Sequence, residues 1–253
     1  MEFTFLGTGT SQGVPVIGCP CAVCASTNPH DKRLRCSGLL TSDETILVID
    51  TGPDFREQML REKVNRLDAV VYTHAHRDHV AGLDDVRSYN FLQGKDMPVY
   101  ADQETLGHLK REFYYIFEND TYPGVPRLEI HPIDDRPFKV GDINLIPVPV
   151  KHGKMDVLGF RIGPFAYITD ASYIPESSME ILTGIKFLVL NALRIEPHHS
   201  HFNLEGALEI VDKLKPQKAF FIHISHLMGI EADITGLLPE GVELAYDGQK
   251  IVW

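Results

Sequence analysis

Short runs of β-branched, aromatic and other apolar residues recur along the chain, and several segments between them carry apolar residues at helical spacing. The runs predict strands over Glu2–Leu6, Thr45–Ile49, Leu67–Thr73, Pro98–Tyr100, Ile143–Val150, Val157–Ile162, Phe165–Thr169, Phe187–Leu193, Lys218–Ile222 and Val242–Val252. The intervening segments predict helices over Asp54–Lys63, Ala81–Leu92, Gln103–Phe117, Pro175–Leu182 and Asn203–Leu214. Because strands and helices are interleaved, we expect an α/β layered protein in which helices cover the faces of sheets.

Chain length and net charge limit the domain organisation and the kinds of partner that the sequence predicts. The 253 residues contain no internal repeat, low-complexity segment or Gly/Pro/Ser-rich linker, so we expect one domain over residues 1–253. Lys and Arg number 24 against 35 Asp and Glu, and the net charge of −11 argues against a long basic groove for extended nucleic acid. No signal sequence and no run of about 18 apolar residues is present, so we expect no membrane contact and a cytoplasmic location.

Polar residues of the kind that bind metals stand where predicted strands stop. Asp50, His74, His152, Asp170 and His223 each follow an apolar run at its carboxyl end. Strand ends are rigid supports that open into loops, and active sites are commonly assembled there. Each residue alone is better explained as a cap or a surface loop residue, but their repetition at equivalent positions favours a shared site.

The segment His74-Ala75-His76-Arg77-Asp78-His79 carries three imidazoles and a carboxylate directly after a hydrophobic strand. Buried without a metal, these groups would be poorly compensated. His74 and His76 are two residues apart on an extended segment and can therefore face one side. Asp78 and His79 come one turn later and can serve a neighbouring position, so the segment indicates two metal ions rather than one.

Three of the four cysteines lie in one short loop, at Cys19, Cys21 and Cys24. In a reducing compartment such a cluster more often binds metal than forms disulfides. Its three thiolates suit three corners of a tetrahedral zinc site, and Cys36 and His226 compete for the fourth corner.

Taken together, the chain resembles the metallo-β-lactamase-fold hydrolases over essentially its whole length. The His74-x-His76-x-Asp78-His79 segment matches the family signature, and Asp50, His152, Asp170 and His223 match its further positions in order. The resemblance implies a four-layer αββα sandwich of two similar halves with a dinuclear site at one edge. It also implies the ligand sets: His74, His76 and His152 hold one metal, Asp78, His79 and His223 hold the other, Asp170 bridges them and serves catalysis, and Asp50 orients ligands.

Within that family the chain is similar to the phosphoribosyl cyclic phosphodiesterases of the carbon–phosphorus lyase pathway. The similarity is carried by Gln12-Gly13-Val14-Pro15, the cysteine loop, Cys36-Ser37-Gly38 and His223-Ile224-Ser225-His226. It implies a structural zinc in the loop over residues 18–25, held by Cys19, Cys21, Cys24 and His226, with Cys36 a core residue. It also implies that His201 contacts the substrate phosphate and protonates the leaving oxygen, and it suggests a homodimer.

These features predict metal-dependent hydrolysis of a small anionic phosphodiester. The resemblance to the phosphoribosyl cyclic phosphodiesterases implies that this phosphodiester is cyclic. Carboxylate and imidazole ligands suit Mn, Zn or Fe. Lys151, Lys154 and Arg194 lie near the motif ends and are candidates to meet a second phosphate, although most such charges are only solvated. For His198 and His199 the ordinary interpretation, solvated loop residues, is favoured.

Other functions remain open on the same residues. The scaffold also carries transfer-RNA processing nucleases, thioesterases and lactonases, but the long Gly/Pro-rich arm typical of the nucleases is absent from the sequence. Proteins of pyrroloquinoline quinone biosynthesis share the cysteine loop but typically alter the catalytic ligands, which are complete here. A non-catalytic metal-binding module would bind metal without turning over any diester.

Overall fold

The computed structural model describes residues 1–118 and 122–253. In that part of the chain the strands form two seven-stranded sheets. The first sheet contains β1 (Glu2–Gly7), β2 (Ser37–Thr41), β3 (Ile46–Ile49), β4 (Ala69–Val71), β5 (Met97–Ala101), β6 (Leu128–Pro132) and β14 (Lys250–Val252). The second contains β7 (Phe138–Val140), β8 (Ile143–His152), β9 (Met155–Ile162), β10 (Phe165–Ile168), β11 (Phe187–Asn191), β12 (Lys218–Ile222) and β13 (Val242–Leu244).

The two sheets share one plan. Their strand orders are β14-β1-β2-β3-β4-β5-β6 and β13-β12-β11-β10-β9-β8-β7. In the first, β1 to β3 are antiparallel and β3 to β6 are parallel. In the second, β7 to β10 are antiparallel and β10 to β13 are parallel. Two halves of matching topology therefore face each other.

Most helices cover the outer faces of the sheets, whereas the one in the cysteine loop packs in a separate small cluster. The helices are α1 (Ala22–Ala25), α2 (Phe55–Arg61), α3 (Arg77–Val80), α4 (Arg87–Gln93), α5 (Gln103–Glu112), α6 (Tyr114–Phe117), α7 (Glu176–Leu182), α8 (Leu204–Leu214) and α9 (Glu231–Thr235), with 3-10 turns at Pro29–Asp31 and Leu83–Val86. No helix in the described ranges is both long enough and apolar enough to cross a bilayer.

Strand periodicity explains the layers. In β3, Leu47 and Ile49 pack in the cluster between the sheets, whereas Val48 packs in the cluster beneath the outer helices. In β12, Ile222 joins the central cluster and Phe221 faces the helices of the second half. Successive strand side chains point to opposite faces, so each central strand is apolar on both sides. The arrangement is an αββα sandwich, as predicted.

Several predicted elements need correction. The single strand predicted over Val242–Val252 is two strands, β13 and β14, which belong to different sheets because the chain turns at Gly248 (φ 90°) and crosses between them. The helix predicted over Ala81–Leu92 is wrong in its start: α3 begins at Arg77, and a 3-10 turn precedes α4.

Other differences concern short or interrupted elements. The helix predicted over Gln103–Phe117 is interrupted at Phe113, whose backbone (φ −110°, ψ 38°) leaves the helical region. Strands β2, β6 and β7 were not predicted: β2 (SGLLT) carries no alternating pattern, and the alternation of β6 (LEIHP) and β7 (FKV) extends over only 5 and 3 residues.

Candidate active site

The predicted ligands converge at one edge of the sandwich because their strands point the same way. Asp50 follows β3 and His74 comes three residues after β4, and these two strands are parallel. Asp170 and His223 follow β10 and β12, which run parallel to β11 between them. His152 ends β8, which runs in the direction of β10 because both are antiparallel to β9. Carboxyl ends of parallel strands open at a common edge, where ligand sites of layered α/β folds form.

Three of these residues leave their strands in the left-handed backbone region. Asp50, Asp170 and His223 have φ angles of 64°, 58° and 55°. Non-glycine residues adopt such angles rarely, and they cluster at functional sites where surrounding structure imposes them. Each abrupt turn follows the end of its strand, where the side chain joins the cluster at the edge.

Asp170 lies at the centre of the cluster, and its two carboxylate oxygens face different sets of imidazoles. Oδ1 lies 3.0 Å from His223 Nδ1 and 3.4 Å from His79 Nε2. Oδ2 lies 3.8 Å from His74 Nε2 and 4.0 Å from His152 Nε2. The Asp170 carboxylate therefore lies between two sets of imidazoles.

The remaining predicted ligands lie around Asp170 in overlapping groups, in which His152 groups with Asp170 and His201 and not with His74 and His76. Asp78 Oδ2 lies 3.2 Å from His79 Nε2, and the donor atoms of Asp78, His79, Asp170 and His223 all lie within 4.8 Å of one another. His74, His76 and Asp170 form a second such group, in which His76 is exposed while the other two are buried. All seven residues predicted to bind the active-site metals are therefore brought together.

Unpartnered buried nitrogens test whether these residues fit divalent ions. Within the described residues, His74 Nε2, His79 Nε2 and His223 Nδ1 are buried and have no hydrogen-bond partner. Leaving such an atom unsatisfied costs about 1–3 kcal/mol. The three atoms point into the cluster beside carboxylates, and imidazole with carboxylate is a donor set that suits divalent transition metals. The side chains at this site therefore suit divalent metal ions.

A buried carboxylate holds the predicted ligand His79 in place. Asp50 accepts hydrogen bonds from the Thr73 backbone N–H (2.8 Å) and hydroxyl (2.7 Å), and its Oδ2 lies 2.8 Å from His79 Nδ1. With Nδ1 occupied, Nε2 of His79 is left for the metal, which is the usual way a carboxylate orients a ligating imidazole. Asp50 thus stands where its predicted orienting role requires.

Two orienting residues were missed by the sequence analysis. The Thr73 hydroxyl donates to Asp50 and lies 2.9 Å from His74 Nδ1, so it links both residues. The backbone carbonyl of Ser200 lies 2.6 Å from His152 Nδ1 and accepts its proton. Thr73 immediately precedes the histidine motif and could have been considered, whereas no sequence signal connects Ser200 to His152.

Burial and charge set the proton affinities of the cluster. Burial lowers the pKa of His74 well below its ordinary value, and the charge of His79 adds to this. Burial also opposes protonation of His79 and His223, but nearby carboxylates prevail: Asp170, Asp78 and Asp50 raise the pKa of His79 well above normal, and Asp170 raises that of His223 to about 10. The carboxylates thus hold protons on two imidazoles at sites where cations are expected.

His201 lies beside the same carboxylate. Its Nε2 is 3.3 Å from Asp170 Oδ2, and its ring is stacked on that of His223 with centroids 4.9 Å apart. Burial lowers the pKa of His201 to about 4, opposed by its contact with Asp170. The residue predicted to protonate the leaving oxygen is therefore in the cluster, although it comes from a loop and not from a strand end.

The cysteine loop forms a separate group with His226. His226 Nδ1 lies 3.3 Å from Cys19 Sγ and 3.4 Å from Cys21 Sγ, and Cys24 lies in the same group. The backbone N–H of Cys24 and the His226 ring lower the pKa of the Cys21 thiol to about 6. Cys36 lies instead in the core between the sheets. The donors match a closed tetrahedral zinc site.

The residues predicted to meet a second phosphate are engaged or exposed. Lys151 Nζ lies 2.6 Å from Asp156 Oδ1. Arg194 donates to the carbonyls of Glu196 (3.1 Å) and Pro197 (2.7 Å) within its own loop. Lys154 is exposed at the turn after β8. Their substrate-binding role stays a prediction.

Known proteins resemble this chain at several levels. A family model described as "Beta-lactamase superfamily domain" matches residues 45–224. An octanoyltransferase of Porphyromonas gingivalis is 37% identical over 255 residues, covering all of this chain and 51% of that protein. A ribonuclease Z of Listeria welshimeri is 32% identical over 174 residues, covering 64% of this chain and 49% of that protein. The chain spans about half the length of these curated relatives.

Solved structures extend the comparison. A crystal structure described as a new diphosphatase from the PhnP family superposes with a TM-score of 0.93 at 44% identity, covering 100% of this chain and 97% of that one. Zn²⁺-bound PqqB from Methylobacterium extorquens superposes with a TM-score of 0.79 at 20% identity, covering both chains fully, and shows the shared fold. The chain therefore belongs to the beta-lactamase superfamily and has the metallo-β-lactamase fold, and its His and Asp clusters imply divalent metal ions.

Proposed function

We propose that this protein is a dinuclear phosphodiesterase acting on a small phosphodiester, with phosphoribosyl cyclic phosphate or a similar cyclic phosphate as substrate. The observation that carries the proposal is the position of Asp170, whose two oxygens face separate imidazole sets while His201 lies beside Oδ2. The 44% identity to a PhnP-family diphosphatase supports chemistry at phosphorus.

Divalent ions, when bound, supply Lewis-acid polarisation of phosphoryl oxygens and lower the pKa of water. The side chains of this protein contribute to the reaction by holding charges and imidazole rings in position. Asp170 and Asp78 hold negative charge between and beside the imidazoles, and the hydrogen bond from His79 to Asp50 keeps its ring from turning. We propose two divalent ions at the active site, for which manganese and zinc are preferred over iron. We also propose one structural zinc at the cysteine loop.

His201 is the proposed general acid. Hydrolysis forms a bond between a water oxygen and phosphorus and breaks one ester P–O bond; the departing oxygen takes the proton from His201 Nε2, the water proton is released to solvent, and His201 is reprotonated from solvent after product release. Burial holds the pKa of His201 at about 4 in the free protein. An anionic phosphate next to the ring would raise that pKa and favour the protonated form when substrate is bound.

A small substrate fits the charge of the chain better than a polynucleotide. The net charge is −11, and extended nucleic acid binding draws on many Lys and Arg residues that neutralise phosphates. Ribonuclease Z relatives share the fold motif, but this sequence lacks a long Gly/Pro-rich arm. We propose no extended nucleic acid partner.

The test is an activity profile on one metal-analysed sample. The panel contains a ribose cyclic phosphate, a linear aryl phosphodiester, a diphosphate diester and an octanoyl thioester, the last because half of an octanoyltransferase is similar to this chain. We expect turnover of the phosphodiesters and its loss in Asp78→Ala and His76→Ala. Asp43→Ala, an exposed acid, is the matched control. Turnover of the thioester alone, or full phosphodiester activity in both ligand variants, contradicts the proposal.

A further inference from the structure

A buried asparagine side chain holds the peptide that follows Asp170. Asn191 is the last residue of β11 and is fully buried. The Ala171 N–H donates to Asn191 Oδ1 (2.6 Å), and Asn191 Nδ2 donates to the Ala171 carbonyl (2.9 Å). We propose that Asn191 is a positioning residue, which fixes the backbone at Asp170 and thereby directs its two carboxylate oxygens towards the two imidazole sets. The inference rests on the part of the proposed function that assigns Asp170 to a pair of divalent ions.

The orientation of the Asn191 amide follows from the backbone atoms that it meets. A backbone N–H can only donate, and a backbone carbonyl can only accept. The Asn191 oxygen must therefore face the Ala171 N–H, and the Asn191 nitrogen must face the Ala171 carbonyl. An amide turned the other way would lose both hydrogen bonds. The side chain is thus a two-point clamp on a single residue of the backbone.

The clamp acts where the backbone turns abruptly. Asp170 has a φ of 58°, in the left-handed region that non-glycine residues rarely adopt unless the surrounding structure imposes it. Its Oδ1 accepts from the hydroxyl of the adjacent Thr169 (2.6 Å), so the carboxylate is held close to its own backbone. The direction of the two carboxylate oxygens therefore depends on the turn, and Asn191 holds the peptide that follows this turn.

Two other left-handed turns at the same edge are held by backbone atoms. In the turn after Asp50, the next N–H donates to the His79 carbonyl (2.8 Å). In the turn after His223, the next N–H donates to the Thr8 carbonyl (2.9 Å). After β10 the acceptor at the corresponding position is the Asn191 side chain. A side chain can be replaced while the course of the backbone is kept, so this turn can be tested by substitution.

The same peptide also connects the His201 loop to the cluster. The Ala171 carbonyl accepts from the Phe202 N–H (2.7 Å) as well as from Asn191. His201 Nε2 lies 3.3 Å from Asp170 Oδ2. A shift of the Ala171 peptide would therefore displace both the predicted bridging carboxylate and the residue proposed as general acid.

Three variants separate positioning from a general loss of stability. Asn191→Ala removes both hydrogen bonds, and Asn191→Leu removes them while filling about the same space. Asn90→Ala is the matched control, because Asn90 is also buried and clamps the Arg127 backbone by donating to its carbonyl (3.0 Å) and accepting from its N–H (2.9 Å), outside the ligand cluster. All three variants should lower the Tm of the metal-free protein.

The first readout needs no metal. Hydrogen exchange followed by NMR reports whether the Ala171 amide is bonded. We expect this amide to be protected in wild type and in Asn90→Ala, and to exchange faster in both Asn191 variants. Exchange of the Ala171 amide in wild type as fast as that of an unbonded surface amide overturns the inference, even where a variant fails to fold.

The second readout is Mn²⁺ binding by titration calorimetry, at a temperature below the Tm of every variant. We expect two ions at the active site of wild type and Asn90→Ala, and binding roughly 10–100-fold weaker in the Asn191 variants, the usual cost of losing a group that orients a ligand. Wild-type affinity in a folded Asn191 variant, or an equal loss in Asn90→Ala, overturns the inference.

The outcomes also separate this inference from the proposed function. Wild-type protein that binds two ions, with weaker binding in the Asn191 variants but no turnover of any diester, defeats the proposed function alone. Wild-type protein that binds no pair of Mn²⁺ ions defeats both.

Discussion

His79 is oriented by Asp50: its Nδ1 lies 2.8 Å from Asp50 Oδ2, whereas its Nε2 faces Asp78 Oδ2 at 3.2 Å without a hydrogen bond. The first contact fixes the ring so that the second nitrogen can serve a metal. Asp50→Ala should therefore lower metal affinity and activity by roughly 10–100-fold, the usual cost of losing such an orienting partner. Metal per chain, measured by mass spectrometry after dialysis, checks this. Asp43→Ala should retain wild-type occupancy, and full occupancy in Asp50→Ala would show the contact to be dispensable.

Gly52 allows the loop after β3 to pack directly against α3. A Cβ at this position would lie 2.2 Å from the Asp78 carbonyl oxygen, and the Thr51 N–H donates to the His79 carbonyl (2.8 Å). Gly52→Ala should displace the helix that carries two predicted ligands, costing about 2 kcal/mol of stability and part of the bound metal. Thermal melts and metal analysis measure both effects. Gly107→Ala, in α5 and in contact only with the tip of Arg111, should be neutral or stabilising.

Metal binding should release protons. Burial opposes protonation of His223, but Asp170 raises its pKa to about 10, so we expect this predicted ligand to carry a proton at pH 7 in the metal-free protein. The metal binds the deprotonated nitrogen, so affinity should rise with pH by about tenfold per unit for each proton displaced. Titration calorimetry with Mn²⁺ in buffers of different ionisation enthalpy counts these protons, and Mn²⁺ avoids the thiolates. Equal heats in all buffers would contradict the prediction.

The cysteine group should stabilise the fold without serving turnover. Four protein donors leave no open position, so Cys21→Ser should remove about one zinc per chain and lower Tm by several degrees. The matched control is Cys36→Ser, which places a hydroxyl in the core and should lower Tm while zinc content stays unchanged. Unchanged zinc in Cys21→Ser would show that this residue is not a ligand.

The location of the site at one edge of the sandwich could be predicted from the sequence, because buried strands must be apolar. A run such as Ile46–Ile49 followed by Asp50 marks both a core strand and its end, and the spacing of His74, His76, Asp78 and His79 is local. The outer limits of elements were less accessible. The start of α3 at Arg77 follows the extended backbone of His76 (ψ 146°), and the local pattern of apolar residues does not reveal it.

Contacts between distant segments were decided by packing. His226 joins Cys19 across 207 positions of sequence, while Cys36 is drawn into the core between the sheets, so only the tertiary arrangement selects between them by geometry. In the same way, the Ser200 carbonyl reaches His152 because two loops meet at one edge.

By itself the sequence determined which residues have metal-binding chemistry and that they stand at strand ends. Residue type and the spacing of apolar residues are local properties of a sequence, so both can be recognised without the fold. The resemblance of its motifs supplied the family and the expected ligand sets. Only the tertiary structure decided that the two oxygens of Asp170 face different imidazoles and that Asn191 holds the peptide after Asp170. Those relationships depend on how two sheets and their loops pack, and no local pattern encodes the distance between side chains that meet only after folding.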